Sequence, residues 1–358
     1  MSGIKDVARR AGVSISTVSN VLNHTKFVSP ELTARVEKAA AELAYEANPI
    51  ARSMKSKRSN TIGVITEDMC GVFYPYIIKG INSVIVDKGY QLMICDTQGT
   101  YGDKRAMQRE QELFRRLINS RVDGIIFLSA VPEQLKAKYI SHLLTQANRF
   151  KRTPLVSLER NFQEFGIDSV YFDGYRNAQK AVQHLIDCGC KKIAHITGPL
   201  GLHISLERIH GVRDCLRANG MACGEDMFFK GNFSHQSGYV AMCRILEQMP
   251  EVDGVFCGND QMAVGALKAL KIRGRRVPED MKIIGYDDVF LSSVVEPSLS
   301  TIHVHKRHAG IAAAEILIER IESLEESPTP RGVKMEGTLV VRESTGPGVV
   351  DDWILSEW

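Results

Sequence analysis

Three adjacent polar pairs, Glu159-Arg160, Asn259-Asp260 and Asp287-Asp288, each follow a short apolar run: PLVSL (Pro154 to Leu158), GVFCG and KIIGY. Arg208 falls on a helical stretch after another such run, and Phe73, Tyr74 and Phe233 sit in segments that follow apolar runs. Carboxylates, an arginine and an amide beside flat aromatic faces suit a polyhydroxylated ligand. Its hydroxyls take several hydrogen bonds each, while its C–H faces stack on rings. Loop capping accounts for any one of these residues singly; jointly they point to a binding cleft. Catalysis fits less well. Adjacent residues at a strand end point to opposite sides, which spoils Asp287-Asp288 as a shared acid/base pair. The chain has no GxxxxGK[ST], HExxH or GxSxG pattern and no GxGxxG after an apolar run. His303-Val304-His305 has the spacing of a metal pair but reads as a polar connector. The expectation is a protein that is not an enzyme, with no catalytic residue, metal ligand or cofactor.

A second set of residues lies near the N-terminus. Ile4, Val7, Ala8 and Ala11 recur at i, i+3, i+4 and i+7, the apolar face of a short helix, and Gly12 breaks it. Ser14 is placed to cap a second helix whose buried side is Val18, Val21 and Leu22. Its other side carries Ile15, Ser16, Thr17 and Asn20. Such a small, polar face at a helix N-terminus can enter a major groove about 12 Å wide, where asparagine pairs bidentately with adenine. Ser29-Pro30-Glu31 starts a third helix, with Leu32, Val36, Ala39, Ala40 and Leu43 as its stripe. The segment 48–60 then holds four basic residues and no acid, a linker with too little apolar surface to fold alone.

From Thr61 the pattern becomes βα alternation. TIGVI, QLMIC, DGIIFLS and PLVSL are strands of a first parallel sheet, and after a crossover near Tyr171 to Tyr175 the alternation restarts with KIAHITG, DMFFKG, DGVFCGND and KIIGYDD. Two similar α/β lobes result, and ligands of such folds bind at the C-terminal ends of the strands and between lobes.

The 358 residues suffice for two or three domains. The net charge of +3 conceals an asymmetry: residues 1–60 hold 10 Lys+Arg against 5 Asp+Glu, leaving 35 against 37 elsewhere, so the first piece is +5 and the remainder −2. That is the footprint of a polyanion binder. The eight cysteines have no CxxC spacing and read as reduced thiols of a cytoplasmic protein. No run approaches the ~18 apolar residues of a membrane span.

With these residues the chain resembles the LacI/GalR transcriptional regulators over nearly its full length. The resemblance is carried by IKDVARRAGVSISTVSNVLN (4–23), NPIARSMKSKRSNTIGVI (48–65), FYPYIIKGI (73–81), LERIHGVRDCL (206–216), GNDQMAVGALKAL (258–270) and VPEDMKIIGYDD (277–288). It implies an all-α helix-turn-helix headpiece (1–46), a hinge helix or linker (47–60) and a two-lobed core (61–345) similar to periplasmic sugar-binding proteins. The N-lobe would span about 61–173 and 306–325, and the C-lobe about 174–302 and 333–345. It implies a repressor that binds a palindromic operator in double-stranded DNA as a homodimer, under control of a small polar effector, a sugar or sugar derivative. Ser16, Thr17 and Asn20 would contact bases, and Ser14 and Ser19 phosphates. Arg52, Met54, Lys55 and Lys57 would belong to a hinge helix in the minor groove, with Met54 standing where the family usually has a wedging leucine. Phe73, Tyr74, Glu159, Phe172, Arg208, Phe233, Asn259 and Asp287 match effector positions, with Arg160 beside them. Val304 departs from the glutamine that relatives often carry in the lobe crossing. The tail 346–358 matches no family role. A protein co-regulator at the lobe surface and a sugar-acting enzyme with a helical appendage are the alternative readings.

Overall fold

The apolar spacing of the first residues produces helix α1 (Ile4–Ala11), which Gly12 ends at φ 62°, a left-handed conformation that strains any residue with a Cβ. Helix α2 (Ile15–Asn23) follows. Helix α3 (Pro30–Glu42) begins at Ser29, whose hydroxyl accepts from the Leu32 N–H. Val7, Ala8, Ala11, Val18, Val21, Val36, Ala39 and Ala40 close one small core. The Arg35 guanidinium donates to the Ala11 carbonyl at 2.7 Å, pairing one of the acceptors left over at the end of α1. This computed structural model describes residues 3–23, 26–45, 58–98, 104–150, 152–323 and 329–346. The chain divides into two compact units, Met1–Asn60 and Thr61–Trp358.

The second unit contains two parallel sheets. The first has strand order β11-β5-β4-β3-β1-β2, formed by β1 (Thr61–Thr66), β2 (Gln91–Asp96), β3 (Gly124–Leu128), β4 (Leu155–Leu158), β5 (Asp168–Phe172) and β11 (Gly332–Met335). Alternate residues of β3 part to opposite faces. Ile126 and Leu128 join the core of α4 (Tyr74–Asp87) and α12 (Lys306–Glu322), while Ile125 and Phe127 join that of α5 (Lys104–Asn119) and α6 (Lys136–Ala147). The second sheet has order β7-β6-β8-β9, from β6 (Ile193–Thr197), β7 (Phe228–Lys230), β8 (Gly254–Cys257) and β9 (Lys282–Ile284). Around it lie α7 (Gly174–Asp187), α8 (His203–Ala218), α9 (His235–Gln248) and α10 (Asp260–Ile272), with the short α11 (Leu291–Val294) after it. Strands β10 (Thr301–His303) and β12 (Thr338–Val340) pair antiparallel beside it.

Both lobes close helix pairs backbone to backbone. A Cβ on Gly80 would lie 2.1 Å from the Arg307 carbonyl oxygen and one on Gly310 2.1 Å from that of Ile77, so α4 and α12 meet through reciprocal glycines. Gly238 and Gly265 serve α9 and α10 in the same way.

The chain passes between lobes at Phe172–Gly174, His303–Lys306 and Met335–Thr338. Two sequence expectations change here. The stretch read only as a crossover near Tyr171 includes a strand, β5. The segment 333–335, assigned to the C-lobe, is the edge strand of the first sheet, with Val333 registered on Val170, so the C-lobe resumes at Thr338. That return has only Glu336-Gly337 to mark it, too little punctuation for the sequence to reveal. Among the described residues no helix is long and apolar enough to cross a membrane.

Candidate functional site: a helix face and a cleft between two sheets

In the first unit Ser14 caps α2, its hydroxyl accepting from the Thr17 N–H at 3.1 Å and lying 2.9 Å from both the Ser16 and Thr17 hydroxyls. With Val18 and Val21 buried, Ile15 and Ser16 are exposed and Thr17, Ser19 and Asn20 half-buried, so the outward face expected from the periodicity is present. The free N–H groups and positive dipole end of this helix favour an anion. Arg52, Met54, Lys55 and Lys57, assigned to a hinge, lie outside the described residues.

In the second unit a cleft of about 580 Å³ runs between the strand ends of the two sheets. The N-lobe wall supplies Glu67, directly after β1, Phe73 and Tyr74 at the start of α4, and Glu159, directly after β4. The C-lobe wall supplies Arg208 from α8, Phe233 from the loop after β7, Asn259 after β8 and Asp287 after β9. Four non-glycine residues of these strand-end turns have positive φ: Glu159 at 68°, Phe233 at 68°, Asp287 at 107° and Asp288 at 51°. Such backbone costs on the order of 1–3 kcal/mol each and gathers where side chains must be aimed.

The C-lobe wall is held from within. Asn259 accepts from the Met262 N–H at 2.9 Å, capping α10, and donates to the Phe233 carbonyl at 3.0 Å. The Arg208 guanidinium donates to the Gly258 carbonyl and lies 3.7 Å from the Tyr286 ring centroid and 5.9 Å from that of Phe233. It is 9% exposed, stacked and bonded. Lys306, buried at the lobe crossing, donates to the carbonyls of Asp287 and Asp288. Burial pushes the Asp287 carboxyl up to about 6, against the pull of Arg208 and Lys306. Asp288 points the other way. Burial works against its charge, but the His303 hydrogen bond at 2.8 Å and Arg342 at 2.8 Å hold its carboxyl far below the usual carboxylate range. The two aspartates are therefore separate groups and not an acid/base pair.

On the N-lobe wall, burial first and then the facing Glu67 and Asp287 push Glu159 up to about 8. The Tyr74 hydroxyl donates to Glu67 at 3.4 Å, and Tyr74 meets Phe73 edge-on at 5.2 Å.

Two expected lining residues are elsewhere. Phe172 does not line the cleft; it backs Phe73 at 6.4 Å. Arg160 turns away because neighbours at a strand end diverge. Its guanidinium donates to the Ser129 and Val131 carbonyls at 3.3 and 2.5 Å and pairs with Glu133 at 2.8 Å. Glu133 in turn reaches across to the C-lobe, where His203 Nδ1 lies 3.6 Å from its carboxylate and its N–H donates to the Gly201 carbonyl at 3.3 Å. Val304 is buried in the core and has no place in the lining. His303 is bonded to Asp288, as a polar connector should be, and among the described residues no His/Cys/Asp/Glu group is arranged to hold a metal ion. The sequence reading missed Glu67, Asp68, Asp96, Gln98, Asn232 and Gln261 among the polar lining residues. Glu67 and Asp96 close the first two strands, so the strand-end rule applied there would have found them.

Residues 3–48 match the profile described as bacterial regulatory proteins, lacI family, and residues 182–345 that of a periplasmic binding protein-like domain. The chain is 35% identical to the HTH-type transcriptional repressor PurR of Vibrio atlanticus (strain LGP32), over 90% of this chain and 92% of that one. It is 34% identical to the ribose operon repressor of Escherichia coli (strain K12), over 96% and 99%. Among solved structures it is similar to the lac repressor dimer bound to operator and the anti-inducer ONPF, at TM-score 0.84 and 27% identity over 96% of this chain and 99% of that one. It is also similar to the transcriptional regulator CelR in complex with cellobiose, at TM-score 0.70 and 30% identity over 96% and 100%.

Proposed function

Because this chain belongs to the LacI family of bacterial regulatory proteins, we infer that it is a sequence-specific DNA-binding repressor, acting on a palindromic operator as a homodimer and controlled by a small polar effector. The observation that carries this is the union in one chain of a capped helix presenting Ile15 and Ser16 to solvent with a two-sheet core holding a polar cleft of about 580 Å³. Ser16, Thr17 and Asn20 are assigned to base edges, and Ser14 and Ser19, near the positive end of α2, to phosphates. Ile15, exposed on the same face, suits a thymine methyl group. The basic segment with Arg52, Met54, Lys55 and Lys57 is assigned to the minor groove, Met54 being apolar and unbranched enough to wedge between bases.

In the core, Phe73, Tyr74, Glu159, Arg208, Phe233, Asn259 and Asp287 are assigned to the effector, and Phe172 to supporting Phe73. A ligand touching both walls changes the preferred angle between lobes, and with it the spacing of the two headpieces of the dimer. No turnover is assigned, and a protein working on DNA is read as cytoplasmic. The test is selection of sites from random double-stranded DNA with the full-length protein. A two-fold symmetric site is expected, and Asn20→Ala should lose ~1–3 kcal/mol of discrimination at one base pair of each half-site. Binding without sequence preference, or equal loss on selected and random DNA, would count against the assignment.

A further inference from the structure

Glu67, Glu159 and Asp287 converge on the cleft from three strand ends, and Arg208 is the one cation among its described lining residues. Two more lining carboxylates are engaged by the backbone. Asp68 accepts from the Cys70 N–H at 3.1 Å, and Asp96 from those of Met69 at 2.9 Å and Gln98 at 2.8 Å. The other nearby arginine, Arg160, faces away and is matched by Glu133. Lys306 lies beneath Asp287 and spends its donors on backbone carbonyls. Arg208 is more than nine-tenths buried, and its Nε is buried without a hydrogen-bond partner. Acidic side chains that outnumber the lining cation favour a positively charged ligand, and the carboxyls, amide and guanidinium of the same lining suit its hydroxyls. A phosphate or carboxylate would meet three acidic side chains, one of them holding its proton, against one lining guanidinium.

We propose that the ligand of this cleft is a hydroxylated molecule carrying a protonated amine or amidine, and that phosphorylated and acidic sugars are excluded from it. This rests on the reading of the cleft as the effector site. Glu159 is the group that reports it. Glu67, Asp287, Arg208 and Arg160 act on it, and His203 lines the small adjoining cavity. In the empty cleft its carboxyl, held up to about 8, carries a proton at neutral pH. An arriving ammonium favours the carboxylate, so the proton leaves to solvent as the amine binds; a neutral ligand asks for no such release.

The experiment is calorimetric titration of the full-length protein near neutral pH in two buffers of different ionisation enthalpy. The probes are two matched triplets: glucosamine, glucose and glucuronate, and ethanolamine, ethylene glycol and glycolate. In at least one triplet the amine should bind at least about tenfold more tightly than its neutral and acidic counterparts, with release approaching one proton per site. A tenfold change corresponds to about one pKa unit of interaction. Glu159→Gln should abolish the release and weaken the amine about tenfold; Glu67→Gln, which removes a second facing carboxylate, should weaken it as well. A neutral or acidic probe that binds as tightly as its amine overturns the proposal, as does failure of both amines to bind the parent protein. DNA affinity measured alongside separates this from the effector reading. A glucose or glucuronate that binds and shifts DNA affinity leaves that reading intact and removes this one. An amine that binds with proton release but leaves DNA affinity unchanged upholds the ligand class and removes the control.

Discussion

The two walls of the cleft grow from similar βα repeats but hold their side chains in opposite ways. On the C-lobe side Asn259 is bonded in both directions, Arg208 lies against Tyr286 and the Gly258 carbonyl, and the turn bearing Asp287 is tied to Lys306. On the N-lobe side Glu67 acts on Glu159, and the Tyr74 hydroxyl donates to Glu67 at 3.4 Å. One wall is preorganised, so a ligand meets it at little cost in ordering. The other sets Glu159 where its carboxyl holds a proton that a cationic ligand must displace, so the energy of recognition and the energy of the fold are concentrated on different sides.

Breaking the C-lobe side should therefore unfold the protein more readily than breaking the N-lobe side. The largest effect is expected for Arg342→Ala, which leaves the buried Asp288 without its guanidinium partner at 2.8 Å and only His303 and Ser292 bonded to its carboxylate. A loss of ~3–5 kcal/mol in urea unfolding is expected; a loss as small as that of Glu159→Gln would remove the contrast between walls. Arg208→Ala comes next. It should cost roughly 1.5–3 kcal/mol in the same assay through its charge-assisted bond to Gly258, and abolish the response of DNA binding to ligand; a response with unchanged affinity would remove Arg208 from the ligand site. Asn259→Ala, which removes the cap of α10 and the bond to the Phe233 carbonyl, should cost about 1–2 kcal/mol. A ligand affinity that falls further than stability would show that the Phe233 loop is aimed by this amide.

The smallest effect is a pH slope. Glu159 and Asp287 are raised, to about 8 and about 6, so the fold favours their protonated forms. That stabilisation is complete below the ordinary carboxylate range and is lost as pH rises through about 6 and then about 8. The ligand-free protein should melt at a lower temperature near pH 8.5 than near pH 5, and Glu159→Gln should flatten the upper part of the curve. Asp288, held low, contributes in the opposite sense only in stronger acid and leaves this window clear. A slope that Glu159→Gln leaves unchanged would show that Glu159 is not held in its protonated form.

Much of this was legible before any coordinate. The three headpiece helices, the eight named strands and several residues of the cleft followed from apolar period, capping residues and the rule that ligands sit at strand ends. What the sequence hid was direction. Glu159 and Arg160 are equally polar neighbours, yet the left-handed turn at Glu159 leaves one in the cleft and sends the other to Glu133. Likewise nothing in Gly332–Met335 says which of two sheets it will edge, because the choice depends on where α12 returns the chain. The support beneath Arg208 was hidden for a related reason: a long side chain can lie flat on a ring that is 78 residues away in sequence, Tyr286.

The Arg160–Glu133–His203 contact joins the lobes outside the cleft, and so gives their closure a free energy of its own. Affinity measured for any ligand is then the intrinsic affinity scaled by the fraction of molecules already closed. Loosening this clasp would weaken every ligand by the same factor, whatever its chemistry, whereas changes in the lining would reorder them. Sensitivity to effector and choice of effector thus reside in separate residues, and either can drift without disturbing the other.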